Sequence, residues 1–261
     1  MKKFSLQIFV SLFFIAVFSS FILLEKEKPV FYIIGDSTVK NGDGTGKGKL
    51  WGWGSFIADY FDTTKISVQN DAIGGRSSRT FITEGRWDKV LSTLKKGDYV
   101  IMQFGHNDAG PLDDTARARG TIRGVGNESK EIYNPIMKKQ EVVYTYGYYM
   151  RKYIRDAKER GAIPIVCSPI PRNDWKDGKV SRSKDSYAGW AEQIAKEEGA
   201  YFIDLNDLIA TKYEALGQDA VKAFFPGDHT HTDINGAKLN AQTVIDELKK
   251  INPGNLKKYM K

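Results

Sequence analysis

The sequence predicts an α/β fold in which helices cover both sides of one parallel sheet. Short runs rich in β-branched residues alternate along the chain with segments of helical pattern, as in βαβ units. The run at residues 99–104 is almost continuously apolar, as expected for a strand buried on both faces. The 261 residues contain no linker that would divide them, which favours one domain.

The β-branched runs predict five strands, and most of them end at glycines or polar residues. The predicted strands are residues 30–34, 66–73, 99–104, 163–168 and 201–205. The predicted helices are residues 53–61, 87–94, 142–160, 187–198 and 235–251. Residues 109–139 interrupt the alternation because they are polar, contain several glycines and have no clear period. Loops of this length are usually functional or mobile, and we interpret the segment as an insertion over the mouth of a site.

The N-terminus is typical of an export signal. Lys2 and Lys3 precede an almost unbroken apolar run that extends to residue 24. The run is long for a signal core, so an uncleaved membrane anchor is the alternative. Cys167 is the only cysteine, and no intramolecular disulfide can form. We expect an exported protein with a leader at residues 1–24 and a single domain at residues 25–261.

The charge of the chain favours anionic partners. The formal net charge is +7, and removal of residues 1–24 takes away two lysines and no acidic residue. A basic exported protein attracts polyanions, although surplus surface lysine is the alternative explanation. No lysine/arginine block with interleaved aromatics predicts a nucleic-acid partner. The glycine-rich loop at residues 41–49 lacks the spacing of a nucleotide-binding loop, and no cofactor is predicted.

Polar motifs follow the predicted strands at the points where the chain leaves the sheet. They are 35-GDST-38, 70-NDAIGGRSSR-79, 105-GHND-108 and 228-DHTH-231. Ligands bind at the carboxyl ends of the strands in sheets of this kind. We therefore expect these four motifs to converge on one edge of the sheet.

The groups needed for acyl transfer are present in these motifs. A serine hydroxyl needs a base to take its proton, and a third group must orient that base. Ser37 is placed as the nucleophile at the end of the first strand. The D-x-x-H spacing brings the carboxylate of Asp228 near Nδ1 of His231, so that the other ring nitrogen faces the nucleophile.

Donors for an oxyanion are available from the same motifs. The backbone N–H of Ser37 is one candidate. A glycine at the end of the second strand lets another N–H approach closely, and either Gly75 or Gly74 could supply it. The side-chain amide of Asn107 is the third candidate.

Each motif also has a structural interpretation that spacing alone leaves open. Ser37 could cap a helix, the glycine pair could form only a turn, and the asparagine could belong to an Asx turn. His229 and His231 could instead bind zinc, because H-x-H can ligate one metal. That site would need His106 as its third ligand, since the chain has no cysteine cluster.

The order of the motifs resembles a known superfamily. The four blocks of the SGNH, or GDSL, hydrolases occur here in sequence as 35-GDS-37, Gly75, 105-GHND-108 and 228-DHTH-231. The resemblance implies a three-layer α/β/α, flavodoxin-like fold and esterase chemistry without a metal. It implies Ser37 as nucleophile, His231 as base and Asp228 as its partner. It also implies an oxyanion hole made by Ser37, Gly75 and Asn107.

Other stretches resemble one family of esterases within that superfamily. Residues 35–44, 51–54, 70–87 and 224–232 are similar to rhamnogalacturonan acetylesterases, carbohydrate esterase family 12. Residues 120–154 are similar to the insertion in bacterial members. The resemblance implies that the substrate is an acetylated pectic polysaccharide. Acetylxylan or a small acetyl ester is the alternative substrate, and a non-catalytic carbohydrate-binding protein is the alternative function.

Physical chemistry adds three candidates for substrate binding. Galacturonate carboxylates suit bidentate arginine, and Arg76 and Arg79 closely follow the proposed oxyanion glycine. The alternative is that these arginines form local ion pairs, for instance with Glu84. Trp53 could stack on a sugar ring, with core packing as its alternative role.

Overall fold

The structure, a computed structural model, describes residues 27–261. Its strands are β1 (Val30–Gly35), β2 (Ser67–Asn70), β3 (Tyr99–Gln103), β4 (Ser129–Asn134), β5 (Lys139–Tyr144), β6 (Ile163–Cys167), β7 (Trp175–Lys176), β8 (Lys179–Val180) and β9 (Tyr201–Ile203). The central sheet has the order β2-β1-β3-β6-β9, and all its strands are parallel. The predicted five-stranded parallel sheet is confirmed. The predicted leader at residues 1–24 lies outside the described residues.

Alternate residues of the central strands belong to two separate cores. Phe31 and Ile33 face one buried cluster, whereas Tyr32 and Ile34 face the other. The period of two along a strand produces this division, and it explains why these strands are apolar at nearly every position.

Helices cover both faces of the sheet. The α-helices are Ser78–Thr83, Arg86–Thr93, Tyr146–Glu159, Tyr187–Glu197, Leu205–Leu216, Gln218–Lys222 and Ile234–Ile251. The 3-10 helices are Lys47–Lys49, Trp53–Tyr60 and Pro253–Tyr259. Residues of Trp53–Tyr60, Leu205–Leu216 and Ile234–Ile251 pack in one core, and residues of the first four α-helices pack in the other. This arrangement confirms the three-layer α/β/α fold.

The structure corrects the predicted start of the long helix. Residues 142–144 belong to β5, which pairs antiparallel with β4, and the helix begins at Tyr146. Thr145 caps it by accepting a hydrogen bond from the N–H of Tyr148 at 3.0 Å. Val142 and Val143 are β-branched and suit a strand. The predicted helix 142–160 was therefore too long at its N-terminal end.

Residues 109–139 are more ordered than an irregular loop. The segment contains β4 and the beginning of β5, so its second half is a β-hairpin. Its first half is closed by hydrogen bonds from Gly120 N to Pro111 O and from Thr121 N to Asp108 O, both 2.9 Å long.

No helix within residues 27–261 has the length and apolar character needed to cross a membrane.

Candidate active site

Ser37 lies directly beyond the carboxyl end of β1, in a tight turn. A Cβ on Gly35 would lie 2.6 Å from the carbonyl oxygen of Gln103, so only glycine allows the end of β1 to approach β3 this closely. The carboxylate of Asp36 then accepts hydrogen bonds from the backbone N–H and the hydroxyl of Thr38, at 2.9 and 2.8 Å. The turn therefore places Ser37 at the carboxyl end of β1, between β2 and β3 in the sheet.

Ser37, His231 and Asp228 form a continuous hydrogen-bonded chain. Ser37 Oγ lies 2.8 Å from His231 Nε2, and His231 Nδ1 lies 2.7 Å from Asp228 Oδ2. The other carboxylate oxygen of Asp228 accepts hydrogen bonds from the backbone N–H groups of Thr230, at 2.6 Å, and of His231, at 2.8 Å. The structure thus brings together three residues from motifs at opposite ends of the chain.

The carboxylate of Asp228 is held in its ionised form. Partial burial raises the pKa of Asp228, but hydrogen bonds from the His231 ring and from two backbone N–H groups outweigh burial and lower it to about 2. A carboxylate beside Nδ1 fixes the orientation of the ring and stabilises a positive charge on it. The three residues can therefore pass the Ser37 proton to His231 while Asp228 balances the charge.

The turn after β2 reaches the same place. A Cβ on Gly74 would lie 3.5 Å from that of Ser37, and Gly75 has a left-handed φ of +79° that favours glycine. The side-chain amide of Asn107 donates to the carbonyl of Arg76 at 3.0 Å, which leaves its second N–H available. Ser37, Gly75 and Asn107 all line one cavity of about 340 Å³. Their roles as oxyanion donors stay predictions.

The substrate-binding predictions for Arg79 and Trp53 are wrong. Arg79 is fully buried, where it forms a bidentate pair with Glu141 at 2.7 and 2.6 Å and donates to two backbone carbonyls. Trp53 is also fully buried, and its Nε1–H donates to Gln103 at 3.0 Å. Neither side chain can contact a sugar at the surface.

Arg76 lies at the edge of the site but is already paired. Its Nε donates to Glu84 at 3.0 Å, and its Nη1 donates to the carbonyl of Gly74 at the same distance. The local ion pair considered as the alternative is therefore present. Arg76 still lines a cavity next to the Ser37 cavity.

Three other arginines lie at this site and were not predicted from the sequence. Arg117, Arg119 and Arg172 line the Ser37 cavity. The first two lie in the polar insertion, and Arg119 donates to the carbonyl of Gly75 at 3.2 Å. Arg172 donates to Thr230 Oγ1 at 2.7 Å, next to His231. No periodicity marks such loop residues, and only their proximity in the fold brings them together.

The second histidine of the DHTH motif belongs to a different pair. His229 Nδ1 lies 2.7 Å from Asp174, and its Nε2 lies 3.0 Å from a nitrogen of Arg172. Within residues 27–261, no three histidine, cysteine or acidic side chains are grouped as metal ligands would be. His229 and His231 therefore point to separate partners, and they do not converge as zinc ligands would.

Comparison with known proteins places the chain in one family of ester hydrolases. The model of the GDSL-like lipase/acylhydrolase family matches residues 33–254. The chain is 35% identical over 215 residues to a rhamnogalacturonan acetylesterase of Emericella nidulans, with 82% of each chain covered. It is 32% identical to the probable rhamnogalacturonan acetylesterase YesY of Bacillus subtilis, over 84% of this chain and 92% of that protein.

Solved structures share the same architecture. Protein YxiM of Bacillus subtilis superposes with a TM-score of 0.69 at 27% identity, over 87% of this chain and 57% of that one. The chain thus spans little more than half of YxiM. The acetylxylan esterase Axe2 of Geobacillus stearothermophilus superposes with a TM-score of 0.58 at 19% identity, over 84% of this chain and 94% of that one. At 19% identity the likeness concerns the fold alone.

Proposed function

Since the chain belongs to the GDSL-like lipase/acylhydrolase family and is a carboxylic ester hydrolase, we propose that it removes O-acetyl groups from rhamnogalacturonan through an acetyl-enzyme on Ser37. The observation that carries this proposal is the series of hydrogen bonds from Ser37 Oγ through His231 to Asp228, with distances of 2.8 and 2.7 Å. The cavity that surrounds Ser37 opens to the surface beside several arginines.

In the first half-reaction, Ser37 Oγ attacks the acetyl carbonyl carbon while His231 Nε2 takes the hydroxyl proton. The carbonyl oxygen becomes an oxyanion that accepts hydrogen bonds from the backbone N–H groups of Ser37 and Gly75 and from the side-chain amide of Asn107. The intermediate collapses as the bond to the sugar oxygen breaks, and His231 returns the proton to that oxygen. The products are a free sugar hydroxyl and an acetyl ester on Ser37.

In the second half-reaction, water replaces the sugar. His231 takes a proton from the water, and the water oxygen attacks the acetyl carbon of the ester. The bond to Ser37 Oγ breaks, the proton returns to that oxygen, and acetate leaves. Asp228 stays ionised throughout, because its pKa of about 2 keeps it negative beside the protonated ring.

The pectic substrate is supported by the named relatives and by charge. Two relatives at 35% and 32% identity carry the name rhamnogalacturonan acetylesterase. The cavity around Ser37 is lined by Arg117, Arg119 and Arg172, and galacturonate carboxylates suit arginine. A neutral acetylxylan is the second candidate, and it would make no use of these charges.

Acetate release from two polymers tests the proposal. The full-length protein and its Ser37→Ala variant would be offered acetylated rhamnogalacturonan and acetylated xylan in parallel. We expect the wild type to release acetate faster from the pectic polymer and the variant to release almost none. Release from xylan alone would overturn the pectic substrate, whereas release by the variant at the wild-type rate would overturn the mechanism.

Export is part of the same proposal, because a polysaccharide substrate lies outside the cell. It is supported by Lys2 and Lys3 before the apolar run that ends at residue 24. Fractionation of a producing cell, followed by determination of the N-terminal residue, would test it. We expect the protein outside the cytoplasm, and a cytoplasmic protein would contradict the proposal.

A further inference from the structure

The edge of the sheet opposite to Ser37 forms a separate surface, which we call the basal face. It consists of segments that precede the parallel strands and of the C-terminal segment that crosses below them, residues 27–29, 62–65, 95–97, 158–161 and 252–261. The hydroxyl of Tyr99 holds the C-terminal segment there by donating to the carbonyl of Gly254 at 2.9 Å. Because β1 is six residues long, the basal face lies about 20 Å from Ser37.

The basal face is strongly basic. Nine of its residues are exposed lysines or arginines: Lys28, Lys65, Lys95, Lys96, Lys158, Arg160, Lys257, Lys258 and Lys261. Its acidic residues are Glu27, Asp62 and Glu159. Asp98 lies next to this face but is fully buried, and its carboxylate accepts the N–H of Val30 at 2.7 Å. Much of the positive charge of the protein is therefore concentrated here.

The acidic residues neutralise few of these charges. Glu27 pairs with Lys95, and Asp62 pairs with Lys65 at 2.7 Å. The other seven basic residues of the face form no ion pair within residues 27–261. The basal face therefore keeps most of its charge available for an external anion.

A cavity of about 790 Å³ opens on the basal face. Its wall includes Glu27, Lys28, Lys65, Lys258 and Tyr259. The Nζ of Lys258 lies 4.8 Å from the centre of the Tyr259 ring, and a second tyrosine, Tyr201 at the start of β9, is 41% exposed. Lysines around a concave space, with tyrosines beside them, suit the headgroup layer of a membrane.

The N-terminal leader joins the fold at the same face. Its apolar run ends at residue 24, three residues before residue 27. Three residues of chain span at most about 10 Å, so the basal face would lie beside any membrane that held this run. This position favours a lipid surface over an acidic polysaccharide as the partner. Contact through the basal face would leave the Ser37 cavity open at the opposite edge of the sheet.

We propose that the basal face binds the anionic headgroups of a lipid membrane. The ammonium groups of its lysines are attracted by the negative potential of the lipid surface. The contact is peripheral, and it adds to any binding that the apolar run itself provides. It holds the protein at the membrane from which the chain emerges and does not depend on the proposed polysaccharide substrate.

Binding to lipid vesicles tests this inference without any catalytic step. Co-sedimentation would measure the partition of the full-length protein onto vesicles of phosphatidylcholine alone and onto vesicles of equal parts phosphatidylcholine and phosphatidylglycerol. The test variant is Lys257→Gln with Lys258→Gln. The matched control is Lys138→Gln with Lys139→Gln, which removes two adjacent exposed lysines from the β-hairpin next to the Ser37 edge. Circular dichroism would show that each variant is folded.

We expect the wild type to bind the anionic vesicles more tightly than the neutral ones, with a preference that falls as salt is added. The Lys257 and Lys258 variant should bind the anionic vesicles roughly tenfold more weakly or less, because each lysine near such a surface contributes about fivefold. The control should bind as the wild type does.

Equal partition of the wild type onto both kinds of vesicle, or equal losses in the two double variants, would overturn the inference. The same variants would also be tested for binding of soluble polygalacturonate. If loss of Lys257 and Lys258 weakened binding to this polymer and not to anionic vesicles, the basal face would belong to an acidic polysaccharide, which would contradict the membrane assignment.

Discussion

His231 Nε2 lies 2.8 Å from Ser37 Oγ, although 194 residues separate the two in the chain. Ser37 follows β1, which lies between β2 and β3 in the sheet, and His231 precedes the helix Ile234–Ile251, which packs in one of the two cores that β1 faces. The segment that contains His231 is also hydrogen-bonded to the segment after Ser37, because Trp51 N donates to the carbonyl of Thr232 at 2.8 Å. The contact between His231 and Ser37 therefore depends on the packing of the helix Ile234–Ile251 against the sheet.

Asp228→Asn tests the role of the carboxylate behind His231. The amide cannot stabilise a positive imidazole ring and can present an N–H to it, so we expect kcat/KM to fall by roughly 10³-fold or more. The measurement is hydrolysis of 4-nitrophenyl acetate, with circular dichroism to show that the variant is folded.

Asp174→Asn is the matched control for that substitution. Asp174 lies 2.7 Å from Nδ1 of His229, the same distance that joins Asp228 to His231. The His229 ring points to Arg172 and not to Ser37. We expect this control to retain nearly all of the ester hydrolysis, and an equal loss in both variants would contradict the assignment of Asp228.

Asn107→Ala tests the oxyanion hole. Loss of one donor that acts only in the transition state should lower kcat by roughly 10²-fold or more and change KM little. Asn127→Ala, at an exposed asparagine that does not line the Ser37 cavity, is the control. If the effect of Asn107→Ala fell on KM alone, the amide would be a substrate-binding group and not an oxyanion donor.

The buried pair of Arg79 and Glu141 should be essential for stability. Arg79→Met leaves a carboxylate that is only 7% exposed without its guanidinium partner, and it leaves two backbone carbonyls without the donor that Arg79 supplies. We expect the free energy of unfolding to fall by about 3–5 kcal/mol. Urea denaturation measures it, and Glu141→Met in the same background should recover part of the loss.

Arg155 provides the comparison for that pair. It also binds a glutamate, Glu198, in a bidentate manner at 2.9 and 2.6 Å, but its side chain is 61% exposed. Arg155→Met should therefore cost much less stability, because solvent screens exposed pairs. Similar losses for the two arginine variants would show that burial is not the decisive difference.

Asp108 should make the stability of the protein depend on pH. Burial raises the pKa of Asp108 to about 7, against hydrogen bonds from Ser78 that lower it. An unfolded aspartate ionises near pH 3.9, so between about pH 4 and pH 7 the folded state binds one proton more than the unfolded state. The contribution of Asp108 to the free energy of unfolding is therefore full at low pH and is lost as the pH rises towards 7.

Asp108→Asn removes this titration. Relative to the wild type, we expect the variant to gain stability as the pH rises from about 4 to about 7, by at most about 4 kcal/mol. Urea denaturation of both proteins across that range measures the difference. A difference that does not change with pH would contradict a raised pKa for Asp108.

Most of the fold follows from local sequence patterns, whereas the errors arise where long-range contacts decide. The central strands were predictable because β-branched runs end at glycines or polar turns. Val142 and Val143 were assigned to a helix because their partners in β4 lie eleven or more residues earlier and leave no local signal. The helix Leu205–Leu216 was missed although its limits are visible in the sequence, with Asp204 as its N-cap and Gly217 at its end.

The site shows the same division between local and distant information. Ser37, Asp228 and His231 stand out because each follows a recognisable strand or precedes a helix. The burial of Arg79 and Trp53 depends on which elements cover them, and periodicity does not reveal this for a single polar or aromatic residue. Arg117 and Arg119 lie in a segment without a period, so only the folded loop identifies them as part of the site.

The most direct test of the account is to identify the group that carries the acetyl. The full-length protein would be mixed with 4-nitrophenyl acetate, quenched with acid during the first turnovers, digested and analysed by mass spectrometry. The account predicts one added acetyl group on the peptide that contains Ser37, and neither the adduct nor acetate release in Ser37→Ala. An acetyl group on another residue, or acetate release by Ser37→Ala at the wild-type rate, would contradict it.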